Sequence, residues 1–274
     1  VIDLGTCHAP SSLEAVTLGL DEMQWLLESL EDVDLPVVLD ALGRYDNRDD
    51  HDLAMRAARE SLDARGLLDG DAVSRDLEDR LRVLGRPHWV LALRLFTGEQ
   101  VSRLCVAQGE DMCVLALRGP ESYVISELTG DLVGPVLAAL GAAQTLSFGG
   151  LNAPTEQLSP VFDDIGDPDR TSGRLQLLGA APADATAIGH AMLHCLAHAE
   201  IVGVVYGDGV REQAPGHLAV FDTHHGRFLA TASEALDGTK WTALSPGSDA
   251  RIRQALHTLI DALPQDSPFP YRRA

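Results

Sequence analysis

Four side chains in the segment Gly189–His198, GHAMLHCLAH, have types that could do chemistry: His190, His194, Cys195 and His198. On a helix His190 and His194 lie four apart on one face, and His198 continues the row. Imidazoles at that spacing can ligate zinc. The zincin arrangement also needs a Glu directly after the first His as general base, and Ala191 stands there. The helix is expected to end near Ala197, before the third His. A structural His row therefore outweighs a metal site. His224-His225 beside Gly226 reads as a strand turn, because Gly supplies positive φ and His tolerates turn positions. Gly207-Asp208-Gly209 lacks the third Gly of a dinucleotide fingerprint and the GK[ST] of a phosphate loop. The stretch from there to Gly216 reads as a mobile connection between two strands. Asp69-Gly70-Asp71 lacks the remaining ligands of a calcium loop and reads as a turn. Neither GxSxG nor SxxK occurs.

Composition narrows the classes further. The 274 residues carry 21 basic and 41 acidic side chains, a net charge of −20, and Lys240 is the only lysine. Such a field repels phosphate backbones and anionic membranes, so neither nucleic acid nor membrane insertion is expected. Between residues 21 and 85 there are 18 acidic and 8 basic residues, the pattern of a solvated helical surface. None of the four cysteines forms CxxC. Cys105, Cys113 and Cys195 sit in apolar contexts and read as small core residues. No 18-residue uncharged apolar run occurs, and the first dozen residues lack the basic and apolar regions of a secretory signal. A reducing cytoplasm is the expected location, and no cofactor is implied.

The elements that must position these residues alternate between helical and strand periodicity. A strand is expected at 14–19, then a helix from Asp21 carrying Met23, Leu26, Leu27 and Leu30, then a Pro-led apolar strand at 35–41. A helix at 49–65 presents Leu53, Ala57, Ala58 and Leu62, with Gly66 just past its end. Asp71 is a candidate cap for the next helix, which buries Val73, Leu77, Leu81 and Leu84. Four strands follow, at 89–96, 101–108, 112–118 and 123–128. Their short links, TGEQ, GED and GPES, require an antiparallel meander. A helix at 132–140 closes the series. Residues 141–174 are rich in Gly, Pro and Asp and read as a connector. Helical pattern returns at 175–179 and 183–197, and four more strands end in a helix at 248–263, with Ser245 as cap and Pro246 as first residue. The order helix, four strands, helix thus occurs twice, from about 72 to 141 and from about 183 to 263. A duplicated α+β protein follows.

Several phrases, taken in order, resemble the EspG family, cytosolic chaperones of actinobacterial type VII (ESX) secretion. They are VTLGLDEMQWLLESLEDVDLPVVLDAL, RGLLD at 65–69, WVLALR at 89–94, VLALRG at 114–119, LQLLGAAPADA, HAEIV, the strand ending FDTHHGR, DG-x-x-W-T and SPG-x-x-x-x-IRQAL. The likeness spans about residues 13–264. It implies a pseudo-twofold α+β fold in which a central antiparallel sheet is flanked by two helical bundles. It divides the chain into a flexible leader at 1–12 and a single domain at 13–274, made of subdomains at about 13–150 and 151–270. It also implies binding of the helical tip of a PPE protein in a PE–PPE heterodimer, which keeps a secretion substrate soluble. The expected contact regions are the 94–104 and 217–231 hairpins and the helices at 183–197 and 247–262. Arg94 and Arg103 are the candidate rim residues, and Phe221 and Phe228 the candidate anchors. Against typical members the TGEQ loop is short and 141–174 looks lean in helix. A homodimer is a further expected partner. The rival readings are a metal-dependent enzyme built on His190, His194 and His198, and a dimeric scaffold without a client.

Overall fold

The computed structural model describes residues 13–264 apart from 42, 164, 165, 208 and 209. The first half contains strand β1 (Val16–Gly19), helix α1 (Leu20–Ser29), a 3₁₀ turn (Val37–Leu39) and helix α2 (Arg48–Ala64). A small hairpin, β2 (Leu68–Asp69) and β3 (Ala72–Val73), leads to α3 (Arg75–Gly85). The meander β4 (Trp89–Thr97), β5 (Gln100–Gln108), β6 (Cys113–Arg118) and β7 (Ser122–Glu127) ends in α4 (Gly134–Leu140). The second half contains β8 (Leu151–Pro154), α5 (Thr155–Phe162), α6 (Pro168–Leu177) and α7 (Pro182–Leu193). Its meander is β9 (Cys195–Gly207), β10 (Val210–Thr223), β11 (Gly226–Glu234) and β12 (Lys240–Pro246), closed by α8 (Asp249–Asp261).

All ten strands outside the small hairpin join one antiparallel sheet, in the order β1-β7-β6-β5-β4-β9-β10-β11-β12-β8. β4 and β9 meet at its centre, with Leu93 opposite Ile201 at the midpoint of the pairing. Outward from that seam the halves read 4-5-6-7-1 and 9-10-11-12-8, which is the expected pseudo-twofold duplication. The repeat is longer than the sequence pattern indicates. Each half begins with a short edge strand that runs directly into a helix, β1 into α1 and β8 into α5.

The second edge strand and its helices lie in the stretch read as a connector. Three prolines hide them. Pro154 sits at the N-cap position of α5, Pro168 opens α6 beneath an Asp167 cap, and Pro160 is tolerated inside α5. Other expectations are corrected too. Residues 35–41 form a 3₁₀ turn, because Val37 is turned to solvent and Asp40 takes a left-handed conformation. In α2 the inward stripe is Met55, Ala58 and Leu62, whereas Leu53 and Ala57 are exposed. Ser74, not Asp71, stands at the N-cap of α3, since Ala72 and Val73 are held in the small hairpin. Ser248, not Ser245, caps α8, because Ser245 and Pro246 stay paired with Leu229 and Phe228 in the sheet. The segment before Gly216 is strand on both sides of residues 208–209: Val210–Gln213 pair with Val204–Gly207, and a register shift follows before His217.

Cross-strand register sorts the sheet's side chains into two faces. One residue row crosses all ten strands: Leu18, Tyr123, Arg118, Arg103, Arg94, Glu200, Ala219, Ala230, Leu244 and Leu151. Its first end is buried under α1, α3 and the 3₁₀ turn, its last end under α5–α7. The opposite face buries Leu91, Leu93, Leu104, Ile201, Leu218 and Leu229 beneath α4 and α8. The two bundles therefore stand at the two ends of one face and leave its middle open.

Two buried charges fasten this frame. Glu22 accepts hydrogen bonds from the Gly19 N–H at 2.7 Å, the Ser61 hydroxyl at 2.7 Å and the Arg65 guanidinium at 2.8 and 2.9 Å. Burial pushes its carboxyl up, but these donors outweigh burial and hold it below the usual glutamate value. Arg227, 1% exposed, grips both Asp222 oxygens and donates to the Leu140 and Gly141 carbonyls, so it caps α4 from the other half. The expected His224–Gly226 turn brings it there. Gly226 has φ 126°, and a Cβ at that position would stand 2.6 Å from the Leu146 nitrogen.

Candidate functional site

The open middle of the sheet face spans β4, β5, β9, β10 and β11. Strand alternation places Arg94 and Phe96 of β4 on this face, together with His198 and Glu200 of β9 and Ala219 and Phe221 of β10. Register sets Phe96 opposite His198, His198 opposite Phe221, and Phe221 opposite Phe228. Directly opposed rings on neighbouring strands stack. Phe96 and His198 lie 4.5 Å apart with planes 9° from parallel. His198 to Phe221 is 6.3 Å and Phe221 to Phe228 is 4.8 Å. Phe162 of α5 stacks on Phe221 at 6.1 Å, and Phe148 meets Phe228 edge-on at 6.5 Å.

The aromatic row runs from the core to the partly exposed face. Phe228 is fully buried, whereas Phe221, His198 and Phe96, the last beside the short β4–β5 turn, are half-buried. Apolar side chains continue the open end. Leu193 and Leu196, at the α7–β9 junction, are 40% and 49% exposed, and Leu177 at the end of α6 is 88% exposed. Thr97 pairs with Ala197, which sets Leu196 at the same end of the sheet as the β4–β5 turn. Leucines in that state leave apolar area for a partner to cover.

The four expected contact residues fall in different places. Arg94 and Phe221 belong to the open face. Arg103 also belongs to it, with 21% of its side chain exposed and Asp40 at 3.0 Å. Phe228 lies in the core beneath α5–α7, so it reaches the surface only through Phe221. Phe96 and His198 escaped the sequence reading. The alternation in WVLALRLF and HAEIVGVV marks each strand, but only the pairing register sets the two rings together.

The three histidines read as a row do not converge. α7 ends at Leu193, the His194 Nδ1 lies 3.3 Å from the His190 carbonyl oxygen, and His198 belongs to the sheet. His194 stands instead beside His224 and His225, with ring centroids 6.1 and 5.9 Å away. Among the described residues no three His, Cys, Asp or Glu side chains are arranged to hold a metal ion. Cys105 and Cys113 are core residues as expected. Burial pushes both thiols up, that of Cys113 to about 12. Cys195 departs from expectation: it is exposed, with its thiol directed at the Ala197 carbonyl. No described helix is long and apolar enough to cross a membrane.

Comparison with known proteins adds a second line. The chain is similar to the ESX-3 secretion-associated protein EspG3 of Mycolicibacterium smegmatis, with 24% identity over 93% of this chain and 89% of that protein. It is equally similar to the ESX-1 secretion-associated protein EspG1 of Mycobacterium marinum, with 24% identity over 96% and 94% of the two chains. Its fold matches the structure of the Mycobacterium tuberculosis type VII secretion system chaperone EspG5 in complex with the PE25–PPE41 dimer. The TM-score is 0.74 at 19% identity, covering 92% of this chain and 97% of that one. The sequence model of the EspG family matches residues 19–258, and the chain belongs to that family.

Proposed function

We propose that this protein is a chaperone that binds the helical tip of a PPE protein within a PE–PPE heterodimer and keeps that secretion substrate soluble. The observation that carries this reading is the partly exposed aromatic row Phe96, His198 and Phe221 between two helical bundles, in a chain of the EspG family. The neighbouring EspG5 structure, which holds a PE25–PPE41 dimer on the same fold, supports it. An apolar helix tip left in water aggregates. A sheet face lined by rings and leucines removes that area from solvent without ordering long side chains. Phe96 and Phe221 are the anchors in this reading, with Phe228 as the rigid backing of Phe221 and Arg94 and Arg103 as flanking polar contacts. The contact is expected to bury on the order of 1,600 Å² in total, consistent with reversible hand-over. We place the activity in the cytoplasm, before export.

The test is co-purification with PE–PPE pairs encoded in the same genome. Wild type should retain a pair in a 1:1:1 complex. A Phe96→Asp/Phe221→Asp variant that still melts cooperatively should retain none, and a charge placed at the PPE tip should have the same effect. A wild-type protein that retains no pair, or a double variant that retains it as well as wild type does, overturns this function.

A further inference from the structure

Three arginines stand side by side on the open face. Arg118, Arg103 and Arg94 are directly opposed in the register of β6, β5 and β4. Like charges directly opposed on neighbouring strands destabilise a sheet. Basic residues are also scarce in this chain, 21 against 41 acidic ones. Three in one row stand out in such a chain, with Arg103 also tying β5 to the 3₁₀ turn through Asp40.

Internal partners do not neutralise the line. Arg94 meets Glu200 at 2.5 Å, with 54% and 44% of the two side chains exposed. Arg103 meets Asp40 at 3.0 Å. Arg118 donates to the Gly119 carbonyl and lies over the Tyr123 ring at 5.2 Å. Its Nε has no acceptor, and no carboxylate pairs with it among the described residues. Three cations therefore face two carboxylates, and the exposed Arg94–Glu200 pair contributes little, so exchanging its partner costs little.

The face is thus divided into two tones. Rings and alanines occupy β9–β11, and cations occupy β4–β6. The two meet at β4, where the Arg94 guanidinium lies 5.6 Å from the Phe96 ring centroid. An apolar tip seated on Phe96 strips water from Arg94 and from its neighbour Arg103. A desolvated guanidinium needs a carboxylate with fork geometry to offset that loss. We infer that the arginine line is a recognition strip for an Asp or Glu side chain on the docked protein, set beside its apolar tip. The resulting ion pair fixes the direction in which the client lies across the sheet. The inference rests on the docking function proposed above.

Binding of the co-purifying PE–PPE pair, followed by calorimetry from about 50 mM to about 500 mM NaCl, separates the two ideas. Wild-type affinity should fall as salt rises. Arg94→Gln/Arg103→Gln should weaken binding about 30-fold or more and flatten the salt dependence. Phe96→Ala should weaken binding while leaving the salt slope in place. Each acidic residue of the client tip changed in turn to Lys should include one that weakens wild type and is partly restored by Arg103→Glu. Arg94→Gln alone, at an exposed position, keeps the test valid if the double variant melts early. Wild-type binding that ignores salt, or a double variant as tight as wild type, overturns the strip and leaves the docking function standing. A wild type that binds no pair overturns both.

Discussion

The two halves of the molecule share one frame and finish it differently. In the first half, α1, α3 and the 3₁₀ turn seal the sheet face into a core that runs from Val16 to Ile125, with no exposed ring among its members. In the second half, α5–α7 cover only the outer strands, and the stacked rings emerge from under the bundle toward the seam. The first bundle is tied down by the Glu22 carboxylate and its donors, and by the Arg80 guanidinium on the Leu13 and Glu14 carbonyls. The second ends in Leu177, Leu193 and Leu196, which no part of the described structure covers. The rings that leave the second bundle, Phe221 and His198, thus meet Phe96 and Arg94 of the first half at the seam.

The largest expected effect comes from separating the copies. We propose that the subdomains at about 13–150 and 151–270 fold as one unit, because β4 and β9 pair along nine residues each and bury Leu93 and Ile201. Cut there, each piece exposes a long apolar edge. The two pieces expressed alone should be insoluble or should lack a sharp thermal transition. Two soluble, cooperatively melting pieces would make the halves independent and would break the comparison.

Next in size are the two buried charges. Arg227→Ala leaves Asp222 and the last carbonyls of α4 without their donor, and should cost about 3–5 kcal/mol. Glu22→Ala removes a carboxylate whose Arg65 partner is 39% exposed, and should cost about 1.5–3 kcal/mol. Denaturant unfolding measures both. A Glu22 variant that loses more than the Arg227 variant would show that the crossover between halves matters less than the first bundle.

The smallest effect is pH dependence, followed here through two groups of the first half, while burial also holds the His217 imidazole of β10 below its ordinary value. Burial holds the His88 imidazole below its ordinary value despite the pull of Glu110, and Glu22 lies below its own ordinary value. In each case the unfolded chain binds the proton more readily, so stability rises with pH. The His88 contribution is present above about pH 6.5 and is lost as pH falls through its folded pKa. The Glu22 contribution is present above about pH 4.3 and is lost below that. Hydrogen exchange should show α1–α3 loosening before α5–α7 between about pH 6.5 and 4. Uniform loosening, or loosening of the second bundle first, would contradict this assignment.

The strands and the closing helix were legible because alternation and short links are local properties. The four strands of the first meander lie within a few residues of their sequence-based positions, and Ile252, Leu256, Leu259, Ile260 and Leu263 are buried as the helical spacing requires. The edge strand β8 was not legible. Four residues between Gly150 and Thr155 carry too little period to stand out, and they become a strand only by pairing with Trp241–Leu244. Ordered family-like phrases pointed to the right regions, the β4–β5 hairpin and the β10–β11 pair. The individual contacts depend on register, which separates Phe221 at the surface from Phe228 in the core although the two are directly opposed across one turn.

The seam between β4 and β9 has a consequence for how such a surface can be tuned. In an assembly of two identical halves, every substitution beside the axis appears twice, once on each side. A cation useful on one flank would then also stand on the other. Here the halves are covalently one chain, so Arg94 on β4 faces Glu200 on β9, and the position of each is free to change alone. The tandem arrangement lets a symmetric platform become a directional one.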